Sequence, residues 1–477
     1  SSTSEGEIKM YANKCVGRDC LGGSNEKRPG KTPYTPPDSM CDYNSANSFN
    51  GASLSIDVAA HDADGESIAY IVGVYGVASH SEYTLTALVS GTGGHSIMTL
   101  QAGVAVSDFV LKNNYSYYRF QVMEPHKDLS IVVTPFSGDP DVYVSTQNSY
   151  PDRHTHTWSH RSLGTDILSI RENDPLVTCH PDKIAEGVCE YFISVEGYED
   201  AATYTIMAYL HDNTPITLQR GIPQTGHVNE TEGMYYTFTL NNKKENLQIT
   251  LTPNDDGDPD LYVLLGQMNA TNMISRVNKD YKSTNWRETE TILINHASPL
   301  FKSRCPIDVN AAADWSCQIN IFVYGYSTSS FDIVVASDDR PVRLRNWRAL
   351  PATVEAKDVE FFEFDVDSAG YDTFVSLTST NGDADLYVGI KCNFTHPENS
   401  VYRWRSIQSA GHIDAVEIKH TDEFACHPTK TARCRYCIEV RNWETHAVSF
   451  SITAGQDTGD NAQALPAGGQ IAGQVAS

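Results

Sequence analysis

Gly138-Asp139-Pro140-Asp141-Val142-Tyr143-Val144 returns as Gly257-Asp258-Pro259-Asp260-Leu261-Tyr262-Val263, and again as Gly382-Asp383-Ala384-Asp385-Leu386-Tyr387-Val388. Self-similarity at a period of about 120 residues marks a repeated structural unit. Other landmarks keep step. Trp158, Trp286 and Trp404 follow the three copies, and Cys189, Cys317 and Cys434 each lead into an apolar run. Working outward, Tyr118, Phe120 and Val122 alternate with polar residues, as do Tyr236, Phe238 and Leu240, then Phe362, Phe364 and Val366. Period-two alternation means half-buried strands. A second strand follows each (Leu129, Ile131, Val133; Leu247, Ile249, Leu251; Val375, Leu377), and β-branched runs close the units. Helical periodicity is nearly absent, so the fold expected is all-β: tandem β-sandwiches.

At these motifs the chain resembles the bacterial pre-peptidase C-terminal family, small jelly-roll-like β-sandwiches appended to secreted proteases and collagenases. The resemblance runs over residues 97–456. It rests on the Asp-x-Asp-Leu-Tyr-Val strand, the Trp-Ser or Trp-Arg segment after it, and the late Val-x-Gly-Tyr strand end. It implies non-catalytic modules that bind matrix or act as spacers, some of them with calcium. The sequons and short Cys loops depart from the bacterial pattern.

The expected organisation is an extended Cys- and Pro-rich arm (1–50), an incomplete back-half sandwich (51–96), sandwiches at 97–212, 213–338 and 339–456, and a tail (457–477). The tail carries a donor-like strand, because Gln463-Ala464-Leu465-Pro466-Ala467-Gly468 matches unit openings such as Thr217-Leu218-Gln219-Arg220-Gly221. Residues 67–90 match the back half of a unit, and Glu5-Gly6-Glu7-Ile8-Lys9-Met10 loosely mimics the motif strand. Pro29, Pro33, Pro36 and Pro37 favour an extended arm.

The 477 residues include 35 Lys and Arg against 60 Asp and Glu, a net charge of −25, which repels a nucleic-acid backbone. An apolar fraction of 40% with 25 Tyr and 16 Phe supplies real cores and excludes wholesale disorder. The longest apolar run, residues 68–77, is far short of the roughly 20 residues a membrane helix needs. Eleven Cys, several at short spacings, suit an oxidising compartment. The sequons at Asn114, Asn229, Asn269 and Asn393 accompany them. Together these features predict an extracellular, N-glycosylated protein. Ser1 is read as a processed start, and Thr32, Thr35 and Ser39, beside prolines, are O-glycan candidates or a plain surface loop.

Asp139 with Asp141, Asp258 with Asp260 and Asp383 with Asp385 place two carboxylates on one side of a strand, which suits calcium or simple turn capping. Cys179–Cys189 and Cys305–Cys317 sit at equivalent places as short-loop disulfides. By repeat alignment Cys426 pairs with Cys434, and Cys392 with Cys437. The competing reading is a zinc site from Cys426, His427, Cys434 and Cys437, although neither sister unit keeps a Cys-x-x-Cys. Cys15, Cys20 and Cys41 remain unassigned, an odd count. His154, His156 and His160 read as a polar loop or a metal site private to one unit. Trp158, Trp286 and Trp404, with Arg161, Arg287 and Arg405, read as face packing or as sugar stacking. Gly-x-Ser-x-Gly, His-Glu-x-x-His and phosphate-loop motifs do not occur in the sequence. No enzyme is expected, and no cofactor beyond calcium.

An incomplete sandwich exposes edges that recruit other chains. The expectation is a structural subunit whose copies join head to tail by strand complementation into an extracellular filament or surface fibril. Its partners would then be other copies of itself and N-linked glycans. The alternative is a matrix- or glycan-binding module array from a larger secreted hydrolase.

Overall fold

The structure, a computed structural model, describes residues 8–16, 43–44, 68–76, 97–123, 127–179, 187–198, 201–268, 272–306, 315–337, 341–366, 368–391, 401–427 and 434–456. Thr32, Thr35, Ser39, Cys20, Cys41, Asn269, Cys392, Asn393 and the donor-like tail lie outside them. The chain divides into two bodies, Ser1–His95 and Ser96–Ser477.

In the first body β1 (Ile8–Val16), β2 (Tyr43–Asn44) and β3 (Ile68–Gly76) form one antiparallel sheet in the order β2-β1-β3. Ile8–Val16, inside the expected arm, is thus a strand paired with Ile68–Gly76 of the expected back-half unit. Cys15 lies in β1, opposite Ala69.

The second body holds three β-sandwiches. The first is built from β4 (Ile97–Thr99), β5 (Val106–Val110), β6 (Tyr115–Val122), β7 (Leu129–Ser137), β8 (Pro140–Ser145), β9 (Trp158–His160), β10 (Asp166–Ile170), β11 (Cys189–Gly197) and β12 (Ala202–Leu210). Its sheets run β4-β6-β11-β8-β9 and β10-β7-β12-β5. The second sandwich (Ile216–Thr217 through Ser329–Ser337) and the third (Val342–Arg343 through Val448–Gln456) repeat both orders. The motif strands are β8, Pro259–Leu265 and Ala384–Lys391, each paired with the late strand β11, Cys317–Gly325 or Cys434–Asn442.

The alternation decides which face is core. Tyr118, Phe120 and Val122 of β6 pack inward with Ile131, Val133, Ile193 and Val195. The odd residues Tyr115 and Tyr117 face the other way, stacked with ring centroids 6.1 Å apart. A single short helix among the described residues, Pro299–Arg304, starts at Ser298, whose hydroxyl accepts from the Phe301 amide. It leads into the Cys305–Cys317 disulfide.

The sandwiches join through shared core and buried charge. Ala105, Val132, Met207 and Tyr209 of the first belong to the hydrophobic cluster of the second. Arg345, in the opening segment of the third, reaches both others. It donates to the carbonyl of Pro135 at 3.0 Å, to Thr165 Oγ1 at 2.5 Å, to Thr225 Oγ1 at 3.1 Å and to Asp332 Oδ2 at 2.5 Å. Nearby, the Arg343 guanidinium lies 4.1 Å from the centre of the Phe136 ring and is also paired with Asp365.

Candidate functional site

The paired motif carboxylates sit on the face of the five-stranded sheet away from the core. Each set is joined by a third buried carboxylate that sequence reading missed: Asp166, Glu290 and Asp414, each at or next to the start of the strand after the loop that follows the motif hairpin. A lone acidic residue at a strand start carries no sequence signature of its own. The recurrence of all three at matching places was the signal available.

The carboxylates fasten connecting loops. Asp139 Oδ1 accepts from the amide of Gly164 at 3.2 Å, and Asp258 Oδ1 from that of Arg287 at 2.8 Å. Both donors have positive φ, 96° and 56°. Asp166 accepts from the Ser162 amide at 3.0 Å and pairs with His160 Nδ1 at 2.6 Å. Glu290 accepts from the Asn285 amide, and Asp414 from the Gln408 amide at 2.8 Å. The second motif aspartates accept from neighbours on the same face: Asp260 from Tyr262 at 3.0 Å and Asp385 from the Trp443 indole at 2.9 Å. The Tyr143 hydroxyl contacts both Asp141 (3.3 Å) and Glu196 (3.0 Å), and Arg153 pairs with Glu196.

Packing several carboxylates at low exposure raises their affinity for protons. Burial, then the charges of Asp139 and Asp166, pushes Asp141 up to about 7. Burial, with the charges of Asp260 and Asp258 adding to it, pushes Glu290 up to about 7 despite its hydrogen bonds. Asp166, Asp260, Asp385 and Asp414 are raised as well, burial leading in each. Among the described residues no group of three or more His, Cys, Asp or Glu side chains is arranged to hold a metal ion. Their oxygens bond to loop amides and hydroxyls, so each set fastens the loop that follows its motif hairpin.

The disulfides Cys179–Cys189, Cys305–Cys317 and Cys426–Cys434 are formed, with Cα atoms 5.5, 5.4 and 5.5 Å apart. Cys437 is disulfide-bonded too, and its expected partner Cys392 lies outside the described residues. These bonds overturn the zinc reading, because disulfide sulfurs are not thiolate ligands. The three histidines go separate ways. His156 Nδ1 meets the Asp152 carbonyl at 2.9 Å, His160 meets Asp166, and His154 is exposed.

The tryptophans also divide. Trp158 pairs across from Val144 and Trp404 from Val388, packed against Tyr191 and Tyr436, with indole N–H groups on Asp174 and Asp422. The matching partner of Val263 is Tyr281, so the expectation that Trp286 keeps step is corrected. Trp286 stands 65% exposed, edge-on to Tyr326 at 5.8 Å, with Arg287 over its ring. Arg161 and Arg405 are exposed. Asn114 and Asn229 are exposed in equivalent turns, after β5 and after Gln224–Val228. A small pocket at the junction of the second and third sandwiches is lined by Asn254, Asp332, Arg345 and Arg348 among others.

No protein-family model matches this chain, and no curated protein matches it. Among solved structures, similarity is recorded to the M60 catalytic domain with CBM51-1 and CBM51-2 domains of Clostridium perfringens ZmpB, at 9% identity and a TM-score of 0.14. That match covers 85% of this chain and 41% of the other. The VP2 subviral particle of infectious bursal disease virus matches at 7% identity and a TM-score of 0.12, covering 72% of this chain and 66% of the other. At these scores neither likeness bears on fold or function.

Proposed function

We propose that this chain is a non-catalytic structural subunit of an extracellular glycoprotein filament, joined copy to copy by strand complementation at β3. One observation carries the reading. The β2-β1-β3 sheet has the order of β9-β8-β11, and Gly76 lies opposite Ile8 as Gly197 lies opposite Pro140. By that register Val72 stands where Ile193, Ile321 and Ile438 stand. Those three are 0% exposed, while Val72 is 40% exposed. The edge that β11 gives to β6 has no partner on β3 among the described residues. An added strand bringing apolar residues over Val72 would supply the missing burial, worth about 1.5–3 kcal/mol for a Val or Ile. The formed disulfides agree with an oxidising compartment. No helix among the described residues is long and apolar enough to cross a membrane. Kinship with the pre-peptidase C-terminal family and N-glycans at the four sequons are part of this proposal. A Val72→Asp variant tests it. Electron microscopy should show that it loses filaments while circular dichroism and thermal unfolding of the three sandwiches stay unchanged.

A second reading, a binding module for matrix or glycan, is favoured by the exposed Trp286–Tyr326 pair. Saturable binding of polysaccharide or collagen, lost on Trp286→Ala, would support it.

A further inference from the structure

Three large aromatics stand exposed at one repeated position, directly after the late strand: Tyr198 at 45%, Tyr326 at 54% and Trp443 at 58%. The position is the same in all three units, at the first residue after the late strand. In the first two sandwiches a sequon turn presses against that position. The Asn113 amide donates to the Gly197 carbonyl at 2.7 Å, and the Gly197 amide to the Asn114 carbonyl at 3.2 Å. In the second sandwich the Thr231 amide donates to the Gly325 carbonyl at 2.8 Å, and the Glu230 amide to Thr328 Oγ1 at 3.1 Å. A Cβ at Gly325 would come within 2.4 Å of the Asn229 carbonyl oxygen, so the two turns touch at the residue before Tyr326. The third sandwich has no sequon in its equivalent turn, residues 355–358. There Lys357 donates to the Trp443 carbonyl and the Trp443 indole donates to Asp385, whereas in the first sandwich the Arg153 guanidinium lies 5.9 Å from the centre of the Tyr198 ring and leaves the ring 45% exposed.

We infer that the N-glycans of Asn114 and Asn229 lie against Tyr198 and Tyr326, with Trp286 widening the second ledge. The inference rests on the glycoprotein part of the proposed function. A pyranose ring offers C–H groups on one face and hydroxyls at its rim, which matches an aromatic ring with an apolar body and a wet edge. Asn229 Nδ2 donates to Glu232 Oε2 at 2.9 Å, and a glycosylated amide keeps one N–H, so this bond holds the linkage while the sugar leaves the turn. The occupant is then the chain's own sugar, and the aromatic patch is covered without a second protein.

The test uses full-length protein secreted from a eukaryotic host, with mass spectrometry of both glycopeptides during peptide-N-glycosidase digestion of the folded protein. In a Tyr326→Ser/Trp286→Ser variant the Asn229 glycan should be released about 2- to 10-fold faster than in wild type, with Asn114 unchanged as internal control. Tyr198→Ser should give the reverse pattern. Tyr326→Leu, apolar but without a flat ring, should behave like the serine variant and guards against a folding artefact. Occupied sites with unchanged release rates in every variant would overturn the inference alone. Bare asparagines at both positions would overturn it together with the glycoprotein reading.

Discussion

The Arg345 guanidinium of the third sandwich meets the Asp332 carboxylate of the second at 2.5 Å, while its other donors reach Pro135 and Thr165 of the first. Burial would raise Asp332, but the charges of Arg345 and Arg348 outweigh it and hold the carboxyl below its usual range. This side chain reaches all three sandwiches, beside the core that the first two share. Removing one partner of a buried pair leaves the other charge unpaired, which typically costs about 3–5 kcal/mol. Arg345→Ala should therefore lower the melting temperature and speed hydrogen exchange around residues 132–137. Arg345→Met combined with Asp332→Leu should recover much of the loss. Equal losses in the single and double variants would show that the pair does not hold the junction.

The crowded carboxylates make stability depend on pH. Asp141 and Glu290 hold protons more tightly folded than unfolded, with folded values raised to about 7. Between the ordinary carboxylate range and about pH 7 the unfolded chain has released protons that the folded chain keeps. Stability contributed by these groups is therefore present at pH 4 and is lost as pH rises through 7. Asp141→Asn and Glu290→Gln should leave the melting temperature unchanged near pH 4. Near pH 8 each should raise it by roughly 2–4 °C per kcal/mol relieved. A melting temperature lowered equally at both pH values would assign these residues to hydrogen bonding alone.

Much of the fold is legible in the chain. Tyr118, Phe120 and Val122 alternate because one face of β6 is core, and the motif strands recur because every unit needs the same inner pair. The short-loop cysteines were legible for the same reason. Position in the repeat, not residue type, is what the Trp286 expectation lacked: Tyr281 fills the packing role, and the tryptophan a few residues on is free to face solvent. Asp166, Glu290 and Asp414 were hidden because each is a single acidic residue at a strand start, and its bonds to loop amides four to six residues earlier leave no periodic pattern. Arg345 was hidden because its contacts span up to 210 residues of chain, and no local pattern encodes them.

Four cysteines of the third sandwich give a direct check on the repeat alignment. Non-reducing digestion should yield Cys426 linked to Cys434 and Cys392 linked to Cys437. Replacing Cys426 and Cys434 together by Ser should destabilise the protein by about 2–3 kcal/mol, the scale expected for a short closed loop. A peptide joining Cys434 to Cys437, or either of them free, would break the alignment on which the repeat boundaries rest.

The most direct measurement is cryo-electron microscopy of the natively secreted protein at a resolution that traces strands. Filaments are expected, with a strand from a neighbouring copy paired along the edge of β3 and Val72 covered as Ile193 is. Monodisperse particles of 52.6 kDa plus glycan, with Val72 still facing solvent, would contradict assembly by strand complementation.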